Sequence, residues 1–201
     1  MSTYIVVFVG VLLLAVAGTP LARKLGLRLN TVDQPDPTRK VHTIPTPRLG
    51  GVAIFLSTLV VTLLLGERYN VSQLAGILIG ATLMSFMGFW DDRFSLHASV
   101  KLVGQFIALG LLVITGVSIS VLPHPVLNLL ATALWVVGIT NAFNLLDNMD
   151  GLSGGIAAIA AAHFALMCAF TGQYLVGALS IAVMAACIGF LIYNWTPATI
   201  F

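Results

Sequence analysis

The chain has 201 residues, 59% of them hydrophobic and 8% charged, and a formal net charge of +2. Its mean hydropathy is +1.04. That balance excludes a soluble globular domain of this size, and nothing in the charge pattern provides a nucleic-acid footprint, so an integral membrane protein is expected.

Crossing the bilayer core takes roughly 17–25 predominantly apolar residues. Seven runs meet or approach that length, at 4–18, 49–65, 74–90, 100–117, 126–143, 154–170 and 174–193. Lipid offers the backbone no hydrogen bonds, so every span must be a helix. The expected fold is therefore all-α and polytopic, a single transmembrane domain over residues 1–201 with about seven helices.

The first run is short on apolar residues alone, and Thr19-Pro20-Leu21 extends it. A cleaved signal peptide is the competing reading, because Ala15-Val16-Ala17 resembles a small-residue cleavage site. Such a peptide carries positive charge before its apolar stretch, whereas Arg23, Lys24 and Arg28 follow this one. Retained as a span, and oriented by the positive-inside rule, the run leaves the N-terminus outside and residues 19–48 in the cytoplasm.

Three polar segments, 19–48, 91–101 and 141–151, hold six of the seven carboxylates and eight of the nine Lys and Arg residues. They follow spans one, three and five, so alternation of sides gathers them at the cytoplasmic face. The opposite links carry only Glu67 and Arg68. Cys168 and Cys187 lie inside apolar runs, where a thiol behaves as a small hydrophobe, and suggest no disulfide framework. The Gly- and Ala-rich start of the sixth run suits close helix packing in lipid.

In the first polar segment Pro35, Pro37, Pro45 and Pro47 hold the backbone extended. Gly50 and Gly51 then permit close approach of a ligand or another helix at the mouth of the second span. Arg39, Lys40, His42 and Arg48 are candidate phosphate contacts. For the Lys and Arg residues alone, a topogenic loop touching anionic headgroups is the favoured reading. His42, set between a basic pair and a proline run, brings the functional reading level with it.

Asp91 and Asp92 end the third run. Carboxylates near the membrane core are expensive and usually mark function, although solvated helix ends lower the cost. Adjacent residues on a helix point about 100° apart, so the two aspartates suit different roles better than one clamp. Phosphate chemistry here requires Mg²⁺, which binds through a few oxygens while keeping water. Lys101 can neutralise a carboxylate, meet a substrate phosphate or simply anchor its helix.

Asn141, Asn144, Asp147 and Asp150 recur every third residue at the end of the fifth run. On a continuous helix Asn141, Asn144 and Asn148 form one stripe with the aspartates beside it, and Gly151 then frees the backbone to turn. So many amide and carboxylate oxygens exceed what capping requires and suit a hard cation. Basic loop, paired aspartates and this ladder at one face point to a metal-assisted reaction between a soluble phosphorylated substrate and a lipid. A transporter would place its charges nearer the midplane.

At these residues the chain resembles the polyprenyl-phosphate N-acetylhexosamine-1-phosphate transferases, a branch of glycosyltransferase family 4. The resemblance covers essentially the whole chain. It rests on Arg39-Lys40-Val41-His42 with Pro47-Arg48-Leu49-Gly50-Gly51, on Gly88-Phe89-Trp90-Asp91-Asp92-Arg93 with Leu96 and Lys101, and on Asn141-Ala142-Phe143-Asn144-Leu145-Leu146-Asp147-Asn148-Met149-Asp150-Gly151. The Arg-Lys-x-His loop is similar to the branch that makes lipid-linked GlcNAc for wall polymers and surface glycans, rather than the muramoyl-pentapeptide branch.

The resemblance implies transfer of GlcNAc-1-phosphate from UDP-GlcNAc to undecaprenyl phosphate with release of UMP, at the cytoplasmic face of a bacterial plasma membrane. It implies Mg²⁺, replaceable by Mn²⁺, held by Asp92, Asn144 and Asp147. Asp91, Asp92, Asp147 and Asp150 become the catalytic set, with Asp91 as base or orienter for the lipid phosphate. Arg39, Lys40, His42, Arg48, Gly50, Gly51, Lys101, Asn141 and Asn148 become substrate contacts, Asn148 standing where the family often has glycine. A homodimer is expected on the same ground.

One departure is large. The sequence ends at Asn194-Trp195-Thr196-Pro197-Ala198-Thr199-Ile200-Phe201, where the family typically continues into Met-Gly-Asp-x-Gly-Ser, so the N-terminal part of a longer enzyme is expected. Two other readings stand beside the transferase: a fragment that only binds lipid phosphate, and a small ion or proton transporter.

Overall fold

The computed structural model describes residues 2–35, 45–64 and 71–201. Among them are seven helices: α1 (Ser2–Arg28), α2 (Gly50–Leu64), α3 (Val71–Phe94), α4 (Ala98–Ile114), α5 (Pro125–Leu146), α6 (Leu152–Thr171) and α7 (Tyr174–Asn194). All seven expected runs are helical, and α1, α3, α5, α6 and α7 are long and apolar enough to cross a membrane. The apolar helices α2 and α4 have 15 and 17 residues. At 1.5 Å per residue they reach roughly 22–26 Å, a little under the bilayer core.

Within the span expected as one transmembrane domain, the described helices form two compact units. One holds α1, α2, α6 and α7, and the other holds α3, α4 and α5.

The first unit is organised by α7 lying against α1, α2 and α6. Its core joins Val7, Val11 and Ala15 of α1 with Val61 of α2 and Ala182, Ala185 and Ala186 of α7. Lipid tails are as apolar as these side chains, so the helices gain mainly by van der Waals contact, which small residues permit at short range. Gly189 shows the tolerance: a Cβ there would stand 2.8 Å from the Cβ of Ala15.

The α1 helix outruns the sequence expectation, continuing through Pro20 to Arg28. Proline has no N–H, so the carbonyl four residues earlier, on Val16, loses its helical donor. The Tyr193 hydroxyl of α7 donates to that carbonyl at 3.0 Å. The orphaned acceptor is thereby satisfied from outside the helix, which is how a membrane helix accommodates proline.

Beyond α1, two short strands, β1 (Val32–Asp33) and β2 (Thr46–Pro47), pair antiparallel in the register Val32 to Pro47 and Asp33 to Thr46. The far end of the chain joins the same corner. Phe201 donates its N–H to the Pro47 carbonyl at 2.7 Å and accepts from the Gly50 N–H at 2.7 Å. Ile200 is fully buried beside it.

In the second unit α4 packs on both α3 and α5. The His97 side chain caps α4, accepting from the Ser99 N–H, and His124 caps α5 by accepting from the Val126 N–H, with Pro125 in the first turn where its missing donor does no harm.

Candidate functional site

The second unit carries the paired aspartates. At the polar end of α3 the Asp91 carboxylate is held at two points: Oδ1 accepts from the Leu96 N–H at 2.8 Å, and Oδ2 pairs with Lys101 Nζ at 2.5 Å. The backbone arranges this, since α3 closes after Phe94, Ser95 takes a left-handed conformation at φ 49°, and its N–H returns to the Asp91 carbonyl. The turn brings Leu96 under the carboxylate and starts α4 so that Lys101 faces back toward α3. Asp92, the next residue round the helix, is exposed.

Beside this pair runs an aromatic stripe. Phe86, Trp90 and Phe94 stack with centroids 5.4 and 5.2 Å apart, and the Arg93 guanidinium lies over Phe94. Half-exposed rings at the end of a spanning helix match the headgroup level of a bilayer.

One turn after Lys101, Gln105 is 5% exposed. Its amide is paired with that of Asn141 on α5: Asn141 Nδ2 donates to Gln105 Oε1 at 2.8 Å, and Gln105 Nε2 donates back at 3.4 Å. Asn141 also donates to the Val137 carbonyl at 2.8 Å. Sequence reasoning placed Asn141 among the substrate contacts and overlooked Gln105. The signal was available, because Gln105 is a lone amide in an otherwise apolar run.

Asn144 is exposed on the last turn of α5, and Asp147 is its C-cap, with its N–H on the Phe143 carbonyl. The expectation of a continuous Asn141, Asn144 and Asn148 stripe is corrected here. The α5 helix ends at Leu146, so Asn148 and Asp150 stand in the turn, and Gly151 completes it at φ 72°.

The first unit holds the other candidates. Arg48, expected on phosphate, forms an ion pair with the buried Asp33, a residue sequence reasoning passed over. Gly50 is buried, and a Cβ there would meet the Phe190 ring at 2.3 Å and the Phe201 carbonyl at 2.9 Å; Gly51 is exposed, with nothing within 4 Å. Asp150 Oδ2 accepts from the Ala198 N–H at 2.9 Å. Asn194, at the end of α7 and also missed, accepts from the Gly151 N–H and donates to the Ile200 carbonyl, both at 2.9 Å. Arg39, Lys40 and His42 lie outside the described residues.

The family model described as Glycosyl transferase family 4 matches residues 74–201, more than half of the chain, including the Asp91 turn and the Asn141–Gly151 ladder. The chain belongs to glycosyl transferase family 4. A Bacillus subtilis relative named "Probable undecaprenyl-phosphate N-acetylglucosaminyl 1-phosphate transferase" is 36% identical over 100% of this chain and 58% of its own length. A Mycobacterium tuberculosis relative named "Decaprenyl-phosphate N-acetylglucosaminephosphotransferase" is 34% identical over 89% of the chain and 50% of its own length. A Lactiplantibacillus plantarum relative named "Phospho-N-acetylmuramoyl-pentapeptide-transferase" is 32% identical over 78% and 55%. This family-4 chain thus spans about half the length of the curated relatives it matches.

Among the described residues of this family-4 chain, no three His, Cys, Asp or Glu side chains converge as a metal-ligand group. Magnesium does not require one, because it binds through one or two carboxylates together with waters and substrate phosphates. Asp92, Asn144 and Asp147 offer hard oxygen donors, all three exposed at the ends of α3 and α5. Their chemistry fits the ion.

Proposed function

We propose that this family-4 chain carries the transfer of N-acetylglucosamine 1-phosphate from UDP-GlcNAc to undecaprenyl phosphate, at the cytoplasmic face of a bacterial plasma membrane. An oxygen of the lipid phosphate attacks the phosphorus that bears the sugar. The bond from that phosphorus to the bridging oxygen breaks, and UMP leaves with the electron pair. The observation that carries the reading is the Asp91 carboxylate, fixed by Leu96 and Lys101 at the polar end of a membrane-spanning helix. The names of the relatives favour the sugar phosphate and the polyprenyl acceptor.

A lipid phosphate is already largely anionic near neutral pH, so it needs orientation and charge neutralisation more than deprotonation. Asp91, held at two points, has a fixed direction in which to orient the acceptor. Lys101 beside it offsets the approach of one anion to another. Mg²⁺, replaceable by Mn²⁺, supplies neutralisation across the diphosphate when bound, and Asp92, Asn144 and Asp147 are the residues that would hold it. Arg39, Lys40 and His42 supply the cationic loop for the substrate phosphates. In this reading Arg48 acts through its ion pair with Asp33, and Asp150 by holding the segment at Ala198.

The test is UMP release with undecaprenyl phosphate, UDP-GlcNAc and Mg²⁺. The chain is assayed alone and fused to the remaining C-terminal part of the Bacillus subtilis relative, each beside Asp91→Asn and a metal-free control. Release that depends on Asp91 and on metal in either form supports the reading. A fused form that is folded yet silent, or that turns over equally well with Asp91→Asn, overturns it.

A further inference from the structure

Most polar groups of the second unit sit at helix ends, but Gln105 does not. It is buried inside α4, and its amide pairs with the Asn141 amide on α5. A reciprocal amide pair is a two-point contact. Sliding α5 by one residue moves it about 1.5 Å, and turning it by one residue swings a side chain about 100°, either of which separates the amides. Apolar contacts would tolerate much of that movement. Such pairs add modest stability in membrane interiors, and a buried polar contact of this kind is best attested as a device for fixing register.

Two further positions make the register matter. Asn144 follows Asn141 by one turn of the same helix, and Asp147 caps that helix. Lys101 precedes Gln105 by one turn of α4 and holds Asp91 of α3. Residues four apart on a helix share a side of it. One side of α4 therefore grips α3 through Lys101 and α5 through Gln105.

We infer that Gln105 and Asn141 form a positioning pair, through which α4 sets the depth and rotation of α5 and so fixes where Asn144 and Asp147 stand relative to α4, which also holds Asp91 of α3 through Lys101. Asn141 then acts through Gln105 and not on substrate. The inference rests on the proposed transferase reading only for its effect on turnover; the structural part stands without it.

The experiment has two readouts on the same variants. Spin labels replace Phe94 and Leu145, which are 57% and 78% exposed near the ends of α3 and α5, in a background with Cys168→Ala and Cys187→Ala. Pulsed electron resonance then reports their separation in lipid nanodiscs. The parent should give one narrow distance, Gln105→Leu a shifted or broadened one, and the exchanged pair Gln105→Asn with Asn141→Gln a return to the parent value. In whichever form releases UMP, Gln105→Leu should lower kcat about tenfold to a hundredfold, the scale on which a misplacement of about 1 Å acts. KM for UDP-GlcNAc should stay within about twofold, and the exchanged pair should recover kcat. A distance that Gln105→Leu leaves unchanged, or that the exchange does not restore, overturns the inference. If the distances behave as stated and no form releases UMP, the positioning pair stands and the transferase reading falls.

Discussion

Replacing Tyr193 by Phe removes one hydroxyl and keeps the ring. Its effect follows from the gap that Pro20 leaves in the backbone ladder of α1. Without the hydroxyl the Val16 carbonyl has neither its helical donor nor the bond at 3.0 Å from α7. An unsatisfied buried polar group costs about 1–3 kcal/mol, while side-chain hydrogen bonds inside membrane proteins average about 0.6 kcal/mol and reach about 1.7. A loss of about 1–1.5 kcal/mol is expected. Pro20→Ala restores an N–H at position 20, which can bond Val16 within the helix and makes Tyr193 redundant. In that background Tyr193→Phe should cost under about 0.5 kcal/mol, a coupling of about 1 kcal/mol. Pro20→Ala alone should stabilise, because an interior proline is unfavourable by up to about 3 kcal/mol relative to alanine and Tyr193 offsets only the hydrogen-bond share. Reversible unfolding in mixed micelles by titration with a denaturing detergent, followed by helical ellipticity, measures all four corners of the cycle. Equal losses for Tyr193→Phe in both backgrounds would refute the assignment of this hydroxyl to the proline gap.

Three other outcomes are expected. Gly50→Val should destabilise by about 1–3 kcal/mol, because its Cβ has no room beside Phe190 and Phe201, whereas Gly51→Ala, facing open space, should stay within about 0.5 kcal/mol; thermal unfolding in detergent separates them. Asp91→Asn keeps an acceptor for Leu96 but loses the charge facing Lys101. UMP release should fall at least about a hundredfold while the unfolding midpoint moves by no more than about 4 °C, since a half-exposed ion pair contributes only about 0–1 kcal/mol. Chelation should abolish UMP release and added Mg²⁺ or Mn²⁺ should restore it, with ellipticity constant throughout.

The seven helices were legible because lipid leaves the backbone no alternative, so apolar length alone identifies them. Their ends were less so. The passage of α1 through Pro20 depends on Tyr193, 177 residues away from Val16, and no local pattern announces such a donor. The motif residues were legible by type, and the structure brings Asp91 and Lys101 together as a pair. What the type does not convey is partnership: Arg48 turns to Asp33, Asp150 to the backbone of Ala198, and Asn141 to Gln105. The Asn/Asp ladder looked like one helical stripe because its spacing is helical. It breaks after Leu146, where Asp147 caps α5, and Gly151 was the residue that announced the turn.

The pairing of α1 with α7 also sets an order of events during synthesis. Among the described helices the main packing partner of α1 is α7, and translation proceeds at about 5–20 residues per second. The 177 residues between Val16 and Tyr193 then correspond to roughly 10–35 s. For that interval α1 stays in the bilayer by its own apolar length, with the Val16 carbonyl still lacking the hydroxyl that will complete it. The α1–α7 seam can close only after Tyr193 has been made, so the gap that Pro20 leaves in α1 is filled late relative to the insertion of α1 itself.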